Sequence, residues 1–132
     1  MREVLDSTFL ITHYFSKDEA TLSRTRAKLA ALRQGRRGVL PTVVVAEVMN
    51  TVCQKAGRDE ARSRFRSLEH AGLEFVPLDP SLACEAGLIK CAHRDIPMSD
   101  CIIAATALRL GGAVVSDDPH FSRIKSLRTA WI

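Results

Sequence analysis

The sequence predicts an α/β fold in which a short, mostly parallel sheet carries helices on both faces, and three observations lead there. Apolar runs of only two to six residues alternate along the chain with longer segments of helical period. Asp, Ser, Pro and Gly fall at the boundaries between the two kinds of segment, where helices start and stop. One segment, CIIAATALRL at 101–110, is apolar nearly all round, as a buried helix is. Strand and helix in alternation is the pattern of parallel strands joined by helical crossovers.

The first strand is expected at 3–5. Asp6, Ser7 and Thr8 are helix-start residues leading into FLITHYF, so strand runs directly into helix with Asp6 at the junction. Asp18 to about Arg33 has the pattern of a second helix, Gln34 to Gly38 of a turn, and Val39–Leu40 of a strand. TVVVAEV, from Thr42, is strand-like in composition. Pro41 ahead of it, apolar positions continuing through Met49 and Val52, and Gly57 as a stop favour one helix over 42–56, with Pro41 at its first position. Glu47 then shares a helix face with Val43 and Asn50. Asp59 is expected to cap a basic amphipathic helix to about Ala71, ended by Gly72, and LEFVPL at 73–78 reads as a strand. Pro80 and Ser81 open a helix to roughly Arg94, HRDIP breaks it, and Ser99 and Asp100 open the buried helix. Gly111 and Gly112 end that helix, AVV at 113–115 is an internal strand, SDDP is a turn, and SLRTAWI is a last strand or tail.

At 132 residues the chain suits one domain over 1–132, able to withdraw roughly two-thirds of its unfolded surface from water. No repeat or linker-like stretch divides it. The longest apolar runs fall far short of the ~20 residues that span a bilayer, and MREVLDSTFLI lacks the features of a signal peptide, so a soluble cytoplasmic protein without membrane partners is expected. Cys53, Cys84, Cys91 and Cys101 form no CxxC pair and fall within predicted helices, so free buried thiols are expected rather than disulfides or zinc. Cys84 and Cys91, seven apart, would share a packed face.

The formal charge is +4, unevenly spread. Residues 20–46 hold Arg24, Arg26, Lys28, Arg33, Arg36 and Arg37 and no acid, and Arg58, Arg62, Arg64 and Arg66 make a second cluster only partly offset by Asp59 and Glu60. Arg supplies 14 of the 19 basic residues, and its planar fork matches phosphate oxygens, so a polyanion is a reasonable partner. A solvated helix face would give the same pattern, and aromatic residues for base stacking are scarce.

Four carboxylates, Asp6, Glu47, Asp100 and Asp118, sit at the edge of or inside apolar runs. No Lys or Arg lies within three residues of Glu47, Asp100 or Asp118, or within three residues after Asp6. Ligands of open parallel sheets bind beyond the carboxyl ends of the strands, where Asp6, Asp118 and the helix opening at Asp100 are expected. Clustered like charges repel, so such a meeting makes sense around Mg²⁺ or Mn²⁺, which favour carboxylate and water oxygens. Singly, each has an ordinary alternative: Asp6 and Asp100 suit helix caps, and Asp117 and Asp118 suit a turn before Pro119. Glu47 is harder to place otherwise, because VVVAEVMNTV offers it no cation. His13, His70, His93 and His120 are read as surface residues.

VLDSTFLI, the AEV helix, SDCIIAATAL and VVSDDPHF together resemble the four motifs of PIN-domain nucleases, particularly short VapC-type toxins, over essentially the whole chain. The resemblance implies a three-layer α/β/α fold with Asp6, Glu47, Asp100 and Asp118 as the catalytic, metal-binding acids. Ser116 falls on a Ser/Thr position that supports the site, and Ser7 on the polar residue after the first acid. Asp118, two residues after Ser116, fits the fourth acid better than Asp117. Also implied are Mg²⁺ or Mn²⁺, endonucleolytic cleavage of RNA leaving a 5′-phosphate and a 3′-hydroxyl, a homodimer, and a small antitoxin partner. Arg24, Arg26, Arg33, Arg36 and Arg37 are candidates to hold the RNA backbone. The competing reading is a catalytically silent RNA-binding or protein-interaction domain of the same fold. A phosphoryl-transfer domain fits poorly, because Ser7 and Thr8 stand where such sites want further acids.

Overall fold

The computed structural model describes residues 1–132. Its elements are β1 (Glu3–Leu5), α1 (Ser7–Phe15), α2 (Glu19–Gly35), β2 (Gly38–Pro41), α3 (Thr42–Ala56), α4 (Arg58–Glu69), β3 (Glu74–Val76), α5 (Pro80–Ala92), α6 (Met98–Leu110), β4 (Ala113–Val115) and β5 (Arg128–Ala130), with a single 3₁₀ turn at Phe121–Arg123. The five strands form one sheet in the order β3-β2-β1-β4-β5. Every neighbouring pair is parallel.

Side chains along a strand alternate between faces, yet Val4 and Leu5, Val39 and Leu40, and Val114 and Val115 are all fully buried. Both faces of the central strands are therefore covered, as all-parallel sheets require. The chain moves from β1 out to β3 on one side, then crosses back to β4 and β5 on the other. Right-handed crossovers then place the two sets of helices on opposite faces, giving the α/β arrangement of three layers. The reversal leaves β1 and β4 side by side, and beyond the carboxyl ends of such a pair lies the crevice that binds ligands in open α/β sheets.

Local chemistry explains the boundaries. Asp18 caps α2 by accepting from Thr21 N at 3.2 Å, and Asp79 caps α5 by accepting from Leu82 N at 2.7 Å. Val44, Val48 and Val52, four apart on α3, turn one stripe into the main core with Phe9 and Leu10 of α1 and Leu32 of α2. Each such side chain, fully buried, contributes about 1.5–3 kcal/mol. A smaller cluster packs Leu82 and Ala86 of α5 on Ile102 and Ala105 of α6. The entire run Asp100–Ala107 is buried, as its composition predicts. Gly112 is required at the entry to β4, since a Cβ there would stand 2.4 Å from the carbonyl oxygen of Arg2.

Several expectations are corrected. Gly57, at φ 92°, rather than Asp59 precedes α4, and Asp59 sits in the first turn where its charge suits the helix dipole. Pro41 ends β2 and stands before α3 instead of inside it, because its extended ψ of 139° continues the strand. α6 begins at Met98, one residue early, so Asp100 is not a cap, and no side chain caps that helix. The strand expected over 73–78 shortens to β3, since Pro77 supplies no ladder donor. Cys84 and Cys91 are exposed, because α5 packs through Leu82 and Ala86 and turns the cysteine face outward. Cys53 is half-buried, Cys101 is buried, and all four thiols are free. No helix is long and apolar enough to cross a membrane.

Candidate functional site

Strand register builds the centre. Leu5 pairs with Val115, so Asp6 and Ser116, the next residue on each chain segment, emerge together at the switch between β1 and β4. Ser116 Oγ donates to Asp6 Oδ2 at 2.7 Å, and Thr8 Oγ1 donates to the same oxygen at 3.0 Å. The other carboxylate oxygen, Oδ1, accepts from Ser7 N at 2.7 Å and so caps α1. The capping role and the site role considered for Asp6 are thus combined in one residue, 2% exposed.

Ser116 also fixes the turn that follows. Its Oγ accepts from Asp118 N at 3.0 Å, and Asp118 Oδ1 accepts from His120 N at 2.9 Å. The His120 ring then swings across to α6, where Nδ1 lies 2.9 Å from Asp100 Oδ2 and 3.2 Å from Asp118 Oδ1. Asp100, Asp118 and His120 present ligand atoms within 4.8 Å of one another. No Lys or Arg pairs with Asp6, Glu47, Asp100 or Asp118.

The electrostatics follow from crowding. The Asp100 hydrogen bond raises the His120 pKa, against the opposing effect of burial, and the Asp118 charge adds to the rise. Burial raises the Asp100 pKa. The His120 hydrogen bond opposes that rise, and the Asp6 and Asp118 charges reinforce it. Glu47, on α3, is raised first by burial; the Ser99 and Ser7 hydroxyls oppose this, while Asp6 and Asp100 add to it. Its Oε1 is buried with no hydrogen-bond partner. A half-buried carboxylate with one orphaned oxygen, beside two further acids, matches the oxygen donors that hard divalent cations favour.

The fold brings Asp6, Ser7, Asp100, Ser116 and Asp118 to one rim, with Glu47 sensing the charge of Asp6 and Asp100. Asp117 is exposed and lines an open cleft of about 440 Å³ with Glu47 and the hydroxyls of Ser7, Thr8, Thr12 and Thr51. Arg24 and Arg26 are exposed on α2. Arg33, Arg36 and Arg37 lie where α2 turns into β2, at the amino edge of the sheet and opposite the carboxylates. Arg37 is committed there to Glu3, at 2.6 Å. The reading of His120 as a plain surface residue is corrected by its contacts with two acids, and that of His13 by its bond to Thr25 at 2.8 Å. The sequence held one signal for His120, its position two residues after Asp118 in a turn, but nothing local ties that ring to α6.

The family model described as the PIN domain matches residues 4–127. Among solved structures, the chain resembles VapBC2 from Rickettsia felis bound to a DNA fragment from its promoter, with a TM-score of 0.78 at 16% identity, covering 99% of this chain and 98% of that one. DNA-bound VapBC from Salmonella typhimurium gives 0.78 at 18% identity, with 99% and 98% covered. VapC20 of Mycobacterium tuberculosis, a toxin that cleaves the sarcin–ricin loop, gives 0.73 at 15% identity, with 91% and 92% covered. A comparison with curated proteins finds no match.

Proposed function

The chain belongs to the PIN-domain family, and on that premise we propose that residues 1–132 form one PIN domain acting as a Mg²⁺- or Mn²⁺-dependent endoribonuclease, the toxin of a toxin–antitoxin pair. The observation that carries this reading is the meeting of Asp6, Asp100 and Asp118 at the β1/β4 switch point, beside a Glu47 whose buried oxygen has no partner. Asp6, Asp100, Asp118 and Glu47 would hold the ion, which supplies Lewis acidity at the phosphate and lowers the pKa of the water it binds.

The chain's own residues do the positioning. Ser116 and Thr8 hold Asp6 Oδ2, Ser7 N holds Oδ1, and the Ser116–Asp118 bond sets the fourth acid. Asp118 rather than Asp117 takes that role in our reading, since Asp118 shares His120 with Asp100. Glu47 binds the ion or orients the attacking water. The products would carry a 5′-phosphate and a 3′-hydroxyl. The VapBC neighbours support a small antitoxin as partner; a homodimer working in the cytoplasm is part of the same proposal.

A second reading, a silent PIN-fold module that binds RNA or protein without cutting, is favoured by one observation. The His120 ring stands against both Asp100 and Asp118, at 2.9 and 3.2 Å, where a bound cation would otherwise sit. Gel-resolved cleavage of labelled RNA by wild type and Asp100→Asn, each with Mg²⁺, Mn²⁺ and EDTA, separates the two. Cutting confined to wild type with metal is the expected result. Full activity of Asp100→Asn would sink the site assignment, and binding without cutting under every condition would leave the silent module.

A further inference from the structure

At the sheet edge opposite the carboxylates lies a second feature, a cleft of about 730 Å³ between the end of α2 and the approach to β3. Arg33 and Arg36 stand on one wall, and Gly72, Leu73 and Glu74 on the other. The acids here are already taken: Glu74 pairs with Arg2, and Glu3 pairs with Lys28 and Arg37. Arg33 and Arg36 are exposed and pair with no carboxylate.

Both are set on fixed mounts. Arg36 ends α2 in the left-handed conformation, φ 51°, a position usually given to Gly or Asn. A Cβ at Gly72, itself at φ 75°, would come 2.9 Å from Arg33 Cγ, so a bare backbone there lets the Arg33 stem lie against the opposite wall. A Cβ at Gly38 would come 2.5 Å from Leu73 Cδ2, which closes the floor of the cleft tightly. No aromatic side chain lines it. Arg26 lies seven residues before Arg33, on the same face of α2 and about 10 Å back along its axis. Since α2 ends where β2 begins, that line runs back toward the carboxylate rim.

We propose that this cleft is a second anchoring site for the RNA backbone, in which Arg33 and Arg36 grip phosphate oxygens of the strand well beyond the scissile bond. The site rests on the reading of RNA as substrate. Guanidinium forks match phosphate oxygens in two-pronged bonds, and with no stacking platform the grip carries no sequence information.

The test measures binding on the Asp100→Asn background in EDTA, so it does not depend on cleavage, and a protein that never cuts RNA can still pass or fail it. A long single-stranded RNA and a short oligonucleotide are titrated at several salt concentrations against that protein with and without Arg33→Gln and Arg36→Gln. The double substitution is expected to weaken the long RNA about ten-fold and to flatten its salt dependence by about 1.4, two phosphates at ~0.7 each, collapsing the preference for long over short. Arg33→Lys with Arg36→Lys should keep most of the salt slope. Equal losses on long and short RNA, or none on the long one, overturn the proposal. Inorganic phosphate displacing the long RNA would reduce the cleft to a small-anion site, and polyglutamate displacing it as well as polyuridine does would make it an acidic-peptide surface; either overturns the strand-anchoring role.

Discussion

Ser116→Ala removes the hydroxyl that ties the two central strand ends together. In the native protein that Oγ donates to Asp6 Oδ2 at 2.7 Å and accepts from Asp118 N at 3.0 Å, between residues only 2% and 6% exposed at Asp6 and Ser116. A buried hydrogen bond to a charged group contributes about 1.5–3 kcal/mol and a neutral one about 0.5–1.5, so the loss comes to about 2–4.5 kcal/mol. The lower half of that range is favoured, because Thr8 Oγ1 still reaches the same Asp6 oxygen at 3.0 Å. Unfolding entropy near ~2.1 cal/mol/K per residue over 132 residues converts this to a fall in Tm of about 7–16 °C. Thermal melts and urea titrations in EDTA give the answer without reference to activity. Ser116→Thr, which keeps the hydroxyl and adds one methyl, should stay within about 1.5 kcal/mol of wild type. An alanine variant melting within about 2 °C of wild type, or a threonine variant falling as far as alanine, would refute the reasoning.

The other expectations concern charge and backbone. Glu47→Gln should raise the Tm of the metal-free protein at pH 7 while abolishing cleavage, because the folded state raises the Glu47 pKa and so disfavours its ionised form; a lower Tm in EDTA would contradict this. His13 is held below its usual pKa by burial and then by Arg64 and Arg26. The unfolded chain therefore binds its proton more readily, and this contribution to stability, complete above about pH 6.5, is lost as pH falls through the depressed folded value. Urea midpoints from pH 7.5 down to 5.5 should accordingly drop less in His13→Gln than in wild type. Gly112→Ala pushes a methyl against the Arg2 carbonyl, where backbone cannot yield, and should cost roughly 1–3 kcal/mol by urea titration. Gly111→Ala finds open space and meets only its positive φ of 64°, so it should cost about 1–2 kcal/mol, no more than its neighbour.

Most of the fold was legible because its signals are local. Pro80 opens α5 at its first position, Gly111 stops α6 by a conformation few other residues adopt, and the valine stripe of α3 repeats on its own helix, while the Asp79 cap ahead of Pro80 emerges only in the structure. Glu47 stood out for the same reason: its neighbours alone show that no cation is near. The misplacements are also local, since Gly57 and Pro97 took positions that Asp59 and Ser99 could fill equally well by residue type.

What the sequence could not contain is the meeting of distant parts. Asp6 and Ser116 are 110 positions apart and His120 and Asp100 are 20, and each pair touches only because β3-β2-β1-β4-β5 seats β4 against β1 with α6 packed beside them. The same topology decided against a simple reading of the arginines. Composition marks Arg33 and Arg36 as basic, but strand direction sends them to the amino edge while sending every site carboxylate of a strand end to the carboxyl edge. Residue type and spacing thus determined which elements form and which acids lack a partner. Only the order and direction of the strands, set by burial of both sheet faces, decided which acids share a site, that His120 joins them, and that the basic cleft stands across the sheet from them.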